Sequence, residues 1–152
     1  MEQTGDLYDR LMSKVKPVIQ GQTLASVSFV WMQGERDAKM GWGDLYEEAL
    51  VGLHAQLAKD LQRNPQKMTF VIGRLSDFDM SNKKYPHWKK VRLAQIKVAN
   101  SNPKYFWVDT DDLNDGLNRK GKQITNDLHY SAEGYKILGK RFAQACLIAI
   151  GK

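Results

Sequence analysis

Residues 25–38 read ASVSFVWMQGERDA. The first eight are rich in β-branched and aromatic residues, a run of the right length for a buried strand. Gln33, Gly34 and Glu35 then end it abruptly, and a Gly at that point lets the chain turn sharply away. Two further runs have the same character, MTFVI at 68–72 and YFWV at 105–108. Each gives way to polar residues: Arg74, Ser76, Asp77 and Asp79 after the second, Asp109, Thr110, Asp111 and Asp112 after the third.

Helical patterns alternate with these strands. Leu7, Leu11, Val15 and Val18 fall at helical spacing within 6–20, with Gly21 as a stop. Leu45, Ala49, Leu53, Leu57 and Leu61 predict the buried stripe of a helix over 44–62, ended by Asn64 and Pro65. Trp88, Val91, Gln95 and Val98 predict a third, stopped by Asn102 and Pro103. A polar loop over 109–130 leads to Ser131, a candidate N-cap for a helix over 132–150 with Tyr135, Leu138, Phe142 and Cys146 as its stripe. Strand–helix alternation predicts an α/β/α three-layer fold with a parallel sheet, three strands of it in this chain. In such sheets ligands bind beyond the carboxyl ends of the strands, where the polar residues above collect.

At 152 residues the chain has the size of one domain, and 42% apolar residues suffice for a core. There is no internal repeat or linker, so 1–152 reads as a single domain. Cys146 is the only cysteine, which excludes an intrachain disulfide and a cysteine zinc cluster. His54, His87 and His129 are far apart and lack metal-ligand spacing, and there is no glycine-rich phosphate loop, so neither a metal nor another cofactor is expected. No run approaches the roughly 20 apolar residues of a spanning helix. Residues 1–13, MEQTGDLYDRLMS, have neither a signal- nor a transit-peptide pattern, and the compartment stays open. The net charge of +6 permits an anionic partner. Lys83, Lys84, Lys89 and Lys90 surround Tyr85 and Trp88, but no RNA- or DNA-binding signature accompanies them, and a solvated helix start is the preferred reading.

Two stretches can carry chemistry. In WMQGERDA (31–38), Gln33 and Glu35 can aim an amide donor and a carboxylate into the crevice, and an amide so placed can stabilise an oxyanion. The same residues also read as a polar turn opening a helix. In NDLHYSAEGYKIL (126–138), His129 lies in a loop just before a helix, where an imidazole can act as general base or simply be exposed. Ser131 suits capping better than nucleophilic attack, and His54 reads as packed or surface.

Together the two stretches resemble the sialate O-acetylesterase and acetylxylan esterase group of the SGNH hydrolases, which includes carbohydrate esterase family six. Trp31, Gln33, Gly34, Glu35 and Asp37 match its first block, with Arg36 at a hydroxyl position. His129, Gly134, Tyr135, Leu138, Gly139, Arg141 and Ala143 match the second, and Val91, Arg92 and Gln95 match a helix between them. The resemblance implies a serine esterase acting on acetylated carbohydrate, often secreted or periplasmic, with His129 as base and Gln33 and Gly34 beside the oxyanion. Glu35 would support that site or orient the histidine.

Asn126 stands where the group has an aspartate, leaving Asp127 or Glu35 to take its place. The group's Gly-Gln-Ser-Asn nucleophile block has no counterpart; Gly21, Gln22 and Thr23 echo it only in a turn before a strand. The chain therefore reads as the carboxyl-terminal portion of a longer esterase domain, with Ser76 the first candidate for a nucleophile of its own. The alternative is an inactive carbohydrate-binding or assembly module of the same fold. A sheet lacking the serine strand would expose an edge, predicting self-association or completion by another polypeptide.

Overall fold

A computed structural model describes residues 5–152. The elements run α1 (Asp6–Ile19), β1 (Ser28–Trp31), α2 (Glu35–Met40), α3 (Gly43–Asp60), a single 3-10 turn (Pro65–Lys67), β2 (Thr69–Gly73), α4 (Trp88–Ala99), β3 (Tyr105–Val108), β4 (Gly116–Leu117), β5 (Gln123–Ile124) and α5 (Ala132–Ala149). The three long strands form a parallel sheet in the order β1-β2-β3, and β4 and β5 form a separate antiparallel hairpin. The fold is α/β, with a helical layer on each face of the sheet.

Strand β2 is central and all five of its residues are buried, as its unbroken apolar sequence requires. Successive side chains point to opposite faces. Phe70 and Ile72 join Tyr46, Leu50, Trp88, Val91 and Val98 beneath α3 and α4. Val71 joins Val108, Leu113, Tyr130 and Leu138 beneath α5. The strand order advances in one direction, so right-handed crossovers place α3 and α4 on the same face. Gly73 ends β2 because the layers meet there: a Cβ would lie 2.3 Å from Met32 Sδ and 2.9 Å from the Phe142 ring.

The stripes of α1 and α3 are rotated from those the leucines predict. In α3 the buried face is Tyr46, Leu50, His54, Leu57 and Ala58, while Leu45 is 65% exposed. The reason is the polar pairing that α3 provides: the Tyr46 hydroxyl donates to the Gln33 carbonyl at 2.6 Å, and His54 stacks on Phe70 with ring centroids 4.7 Å apart. Helix α1 docks through Tyr8 and Met12 against Leu57, Ala58 and Met68. The Tyr8 hydroxyl donates to Asp60 at 2.7 Å, leaving Leu7, Leu11 and Val18 exposed. The α4 stripe Trp88, Val91, Gln95 and Val98 is buried as the spacing predicts. In α5, Leu138 is buried but Tyr135 turns outward to rim a cavity. Ser131 caps α5, accepting from the Gly134 N–H at 3.0 Å.

The first strand is also shorter than residues 25–32, and two elements were not foreseen: α2, hidden in the polar turn at 35–40, and the β4–β5 hairpin inside the loop at 109–130. Among the described residues no helix is long and apolar enough to cross a membrane.

Candidate active site

The first block is shaped from below by α3 and α4. Gly34 follows Gln33 at φ +149°, a conformation side chains rarely adopt, and a Cβ there would stand 2.7 Å from Val91 Cγ1. Gln95, fully buried, spans the gap: its Oε1 accepts from the Leu75 N–H and its Nε2 donates to the Gln33 carbonyl, both at 2.9 Å. Tyr46 is hydrogen-bonded to that same carbonyl. Burial pushes the Tyr46 hydroxyl up to about 12, against the opposing hydrogen bonds from Trp31 and Gln95, so it stays a donor at neutral pH.

The polar tips of the block are engaged with each other. The Gln33 side-chain amide donates to Asp37 Oδ2 at 2.5 Å, and the Gly34 N–H donates to Glu35 Oε2 at 3.0 Å. The Gly34 N–H can meet an oxyanion only when the Glu35 carboxylate swings aside.

The ends of β2 and β3 are fastened by ions. Arg74 Nη2 donates to Asp109 at 2.5 Å and Asp111 at 2.6 Å, and its guanidinium carbon lies 4.8 Å from the centre of the Trp107 ring. Arg92 grips both Asp111 oxygens at 2.7 and 3.0 Å and also donates to the Leu75 carbonyl. Burial raises the Asp111 pKa, but the hydrogen bonds and charges of Arg92 and Arg74 outweigh it and leave the carboxyl below its ordinary value. Arg141 forks onto Asp112 with two contacts of 2.7 Å.

The second block hangs over these ends. His129 is largely exposed, its Nδ1 3.6 Å from Asp127 Oδ1, beyond hydrogen-bond range. Asp127 Oδ1 instead accepts the His129 backbone N–H at 2.8 Å, fixing the loop and leaving the ring free to turn. Asn126, at φ +45°, uses its side-chain oxygen to accept from the Asp79 N–H at 3.1 Å. Tyr130 links the blocks: its hydroxyl is 3.9 Å from Met32 Sδ, and burial, aided by the charge of Glu35, raises its pKa above the ordinary tyrosine value.

His129, Asp127, Tyr130 and Tyr135 line a cavity of about 540 Å3 whose other wall is Asn118 and Arg119 from the hairpin. The size falls in the range of about 300–1,000 Å3 usual for small-ligand pockets. Among the described residues no serine lines it. Ser76 is 2% exposed, its hydroxyl faces the Phe78 N–H at 3.4 Å, and its carbonyl accepts from Trp88 Nε1. Ser131 is committed to its cap. Tyr85 and Trp88 are buried, Lys90 pairs with Asp44, and of that stretch Lys84 lies over an aromatic ring, 5.8 Å from the centre of Tyr85. No group of three His, Cys, Asp or Glu side chains among the described residues is arranged to hold a metal ion.

Sequence reasoning missed Tyr46, Tyr130 and Arg119 as parts of the site, and placed Arg74 and Asp111 at the strand ends without their pairing. Gln95 and Arg92 had a signal, since polar residues on an otherwise apolar helical face must find buried partners. Arg119 had none, because the hairpin that presents it was not visible.

The fold is a parallel α/β sheet with an amide-rich turn at the end of β1, and the cavity at His129 is lined by none of Gln33, Gly34 and Glu35. The family model described as carbohydrate esterase, sialic acid-specific acetylesterase, matches residues 1–148, and the chain belongs to that family. No curated protein matches it.

Proposed function

We propose that the chain removes O-acetyl groups from carbohydrate by a serine-esterase mechanism with His129 as general base. The observation that carries this reading is the cavity rimmed by His129, set in a family of carbohydrate acetylesterases. His129 takes the proton of an attacking hydroxyl, whose oxygen bonds to the acetyl carbon. The Gln33–Gly34 turn holds the oxyanion once Glu35 releases the Gly34 N–H. Collapse expels the sugar oxygen, which takes the proton from His129, and water then hydrolyses the acetyl ester left on the nucleophile.

Ser76 and Ser131 are engaged in the fold and no other serine among the described residues lines the cavity, so in this reading the attacking hydroxyl comes from outside the described residues. The outer edge of β1 suits its delivery: β1 pairs only with β2 among those residues, Val30 is 41% exposed, and the strand leads directly into Gln33. A strand added there, from another polypeptide or a second copy, would end beside the oxyanion turn.

Acetate release from O-acetylated sialic acid and acetylated xylan tests the reading. It expects His129→Ala to lower release by about 100-fold or more, the scale of general-base catalysis. Fluorophosphonate labelling with peptide mapping then locates the nucleophile, with no adduct expected on Ser76 or Ser131. An adduct on Ser76 that disappears in His129→Ala would overturn the assignment of the nucleophile. The engaged Gly34 N–H and the serine-free cavity favour a second reading, an inactive carbohydrate-binding module; binding of acetylated sugar with no release by the wild type would establish it.

A further inference from the structure

Behind the loop that carries His129 lies a second cavity, of about 500 Å3, lined by Phe78, Asp79, Lys83, Lys84, Tyr85 and Asp127. Asp127 also lines the first cavity, so the two adjoin at that residue. The seam is held by strained backbone. Asp79 (φ +30°) and Asn126 (φ +45°) are two of the three non-glycine residues with positive φ among the described residues, and they are hydrogen-bonded to each other. Such conformations cost free energy and persist where the surroundings enforce them, often at ligand sites.

The lining chemistry is that of a sugar site. Asp79 and Asp127 offer acceptors for hydroxyl protons, Lys83 and Lys84 offer donors, and neither lysine is in an ion pair among the described residues. Lys84 Nζ sits 5.8 Å from the centre of the Tyr85 ring, at the cavity's apolar edge. Two lysines balance two aspartates in the second cavity, and Arg119 balances Asp127 in the first.

We propose that the second cavity is an additional carbohydrate subsite, so that the ligand is an oligosaccharide of at least two units lying across Asp127. The acetylated unit occupies the cavity of His129, and its neighbour in the glycan occupies the cavity of Lys83 and Lys84. This rests on the first cavity being a sugar site. Acetate release plays no part in its test, so failure of hydrolysis and failure of the second subsite are separate results.

Calorimetric titration of the full chain with xylose and xylobiose, and with N-acetylneuraminic acid and its α2,8-linked dimer, tests the proposal for neutral and acidic glycans. In at least one pair the dimer binds about tenfold or more tighter than the monomer, equivalent to about 1.4 kcal/mol. Lys84→Ala, at an exposed side chain, and the double variant Asp79→Asn/Lys84→Ala reduce that advantage and leave monomer affinity unchanged. Arg119→Ala weakens monomer and dimer alike in the pair it recognises. Equal affinities for monomer and dimer in both pairs, an advantage that survives the double variant, or no binding of any of the four sugars would overturn it.

Discussion

His54 makes stability depend on pH in a window where few other groups titrate. Its ring is 1% exposed, stacked on Phe70 and edge-on to Tyr105, whose hydroxyl lies 3.1 Å from Nδ1, while Nε2 has no partner. Protonation would place a charge in this setting and demand a second acceptor where there is none. Burial therefore lowers the pKa from 6.5 to about 4. The folded state prefers the neutral ring, so this contribution is full above 6.5 and is lost as pH falls from there towards 4. Linkage with those two values gives a loss of about 2 kcal/mol between pH 7.5 and 5, which lowers the melting temperature by roughly 4–8 °C for a chain of this size. Urea unfolding at both pH values, for the wild type and His54→Leu, isolates the effect because His87 and His129 remain in both. The variant should lose about 2 kcal/mol less than the wild type across that interval. Equal losses would refute the idea that His54 is held neutral by burial.

Other consequences follow from the bonds around the site. Gln95→Leu leaves the buried Leu75 N–H without a partner and takes one of two donors from the Gln33 carbonyl, which keeps Tyr46, and should cost about 1–3 kcal/mol in thermal unfolding; a loss below 0.5 kcal/mol (roughly the scale of a neutral surface change) would contradict the bridge. Ser131→Ala removes the α5 cap and should cost about 1 kcal/mol, with Ser131→Asp restoring most of it. Because Asp111 ionises more readily in the folded state, its contribution is present above 3.8 and lost as pH falls below it. Acid unfolding of Asp111→Asn should therefore show a shallower pH dependence below 3.8 than the wild type.

The strands were legible because each is a short, nearly unbroken apolar run ending in polar residues, and β2 and β3 lie within a residue of their expected bounds. Stripes were legible only where the buried face is also the apolar one. Helix α4 satisfies this; α3 does not, because Tyr46 and His54 are drawn inward by Gln33, Phe70 and Tyr105 and turn Leu45 to solvent. Helix α2 escaped notice because six polar-rich residues after a glycine look the same as a turn. The hairpin escaped because two-residue strands have no periodicity to detect.

Within the candidate region, Gln33, Gly34 and Glu35 follow β1 and His129 lies in the loop before α5, as the sequence pattern predicts. What they bond to could not be read from it. That the Gly34 N–H is held by Glu35, that Asp127 binds the His129 backbone in preference to its ring, and that Asn126 turns to Asp79 are outcomes of loop geometry at single residues.

The central claim is that the cavity at His129 receives acetylated carbohydrate. Its most direct test is an NMR titration following the ring signals of all three histidines as O-acetylated sialic acid or an acetylated xylo-oligosaccharide is added. The account predicts a saturable shift of His129, with His54 and His87 unmoved. Binding that leaves His129 unmoved, or no binding of either sugar, would contradict it.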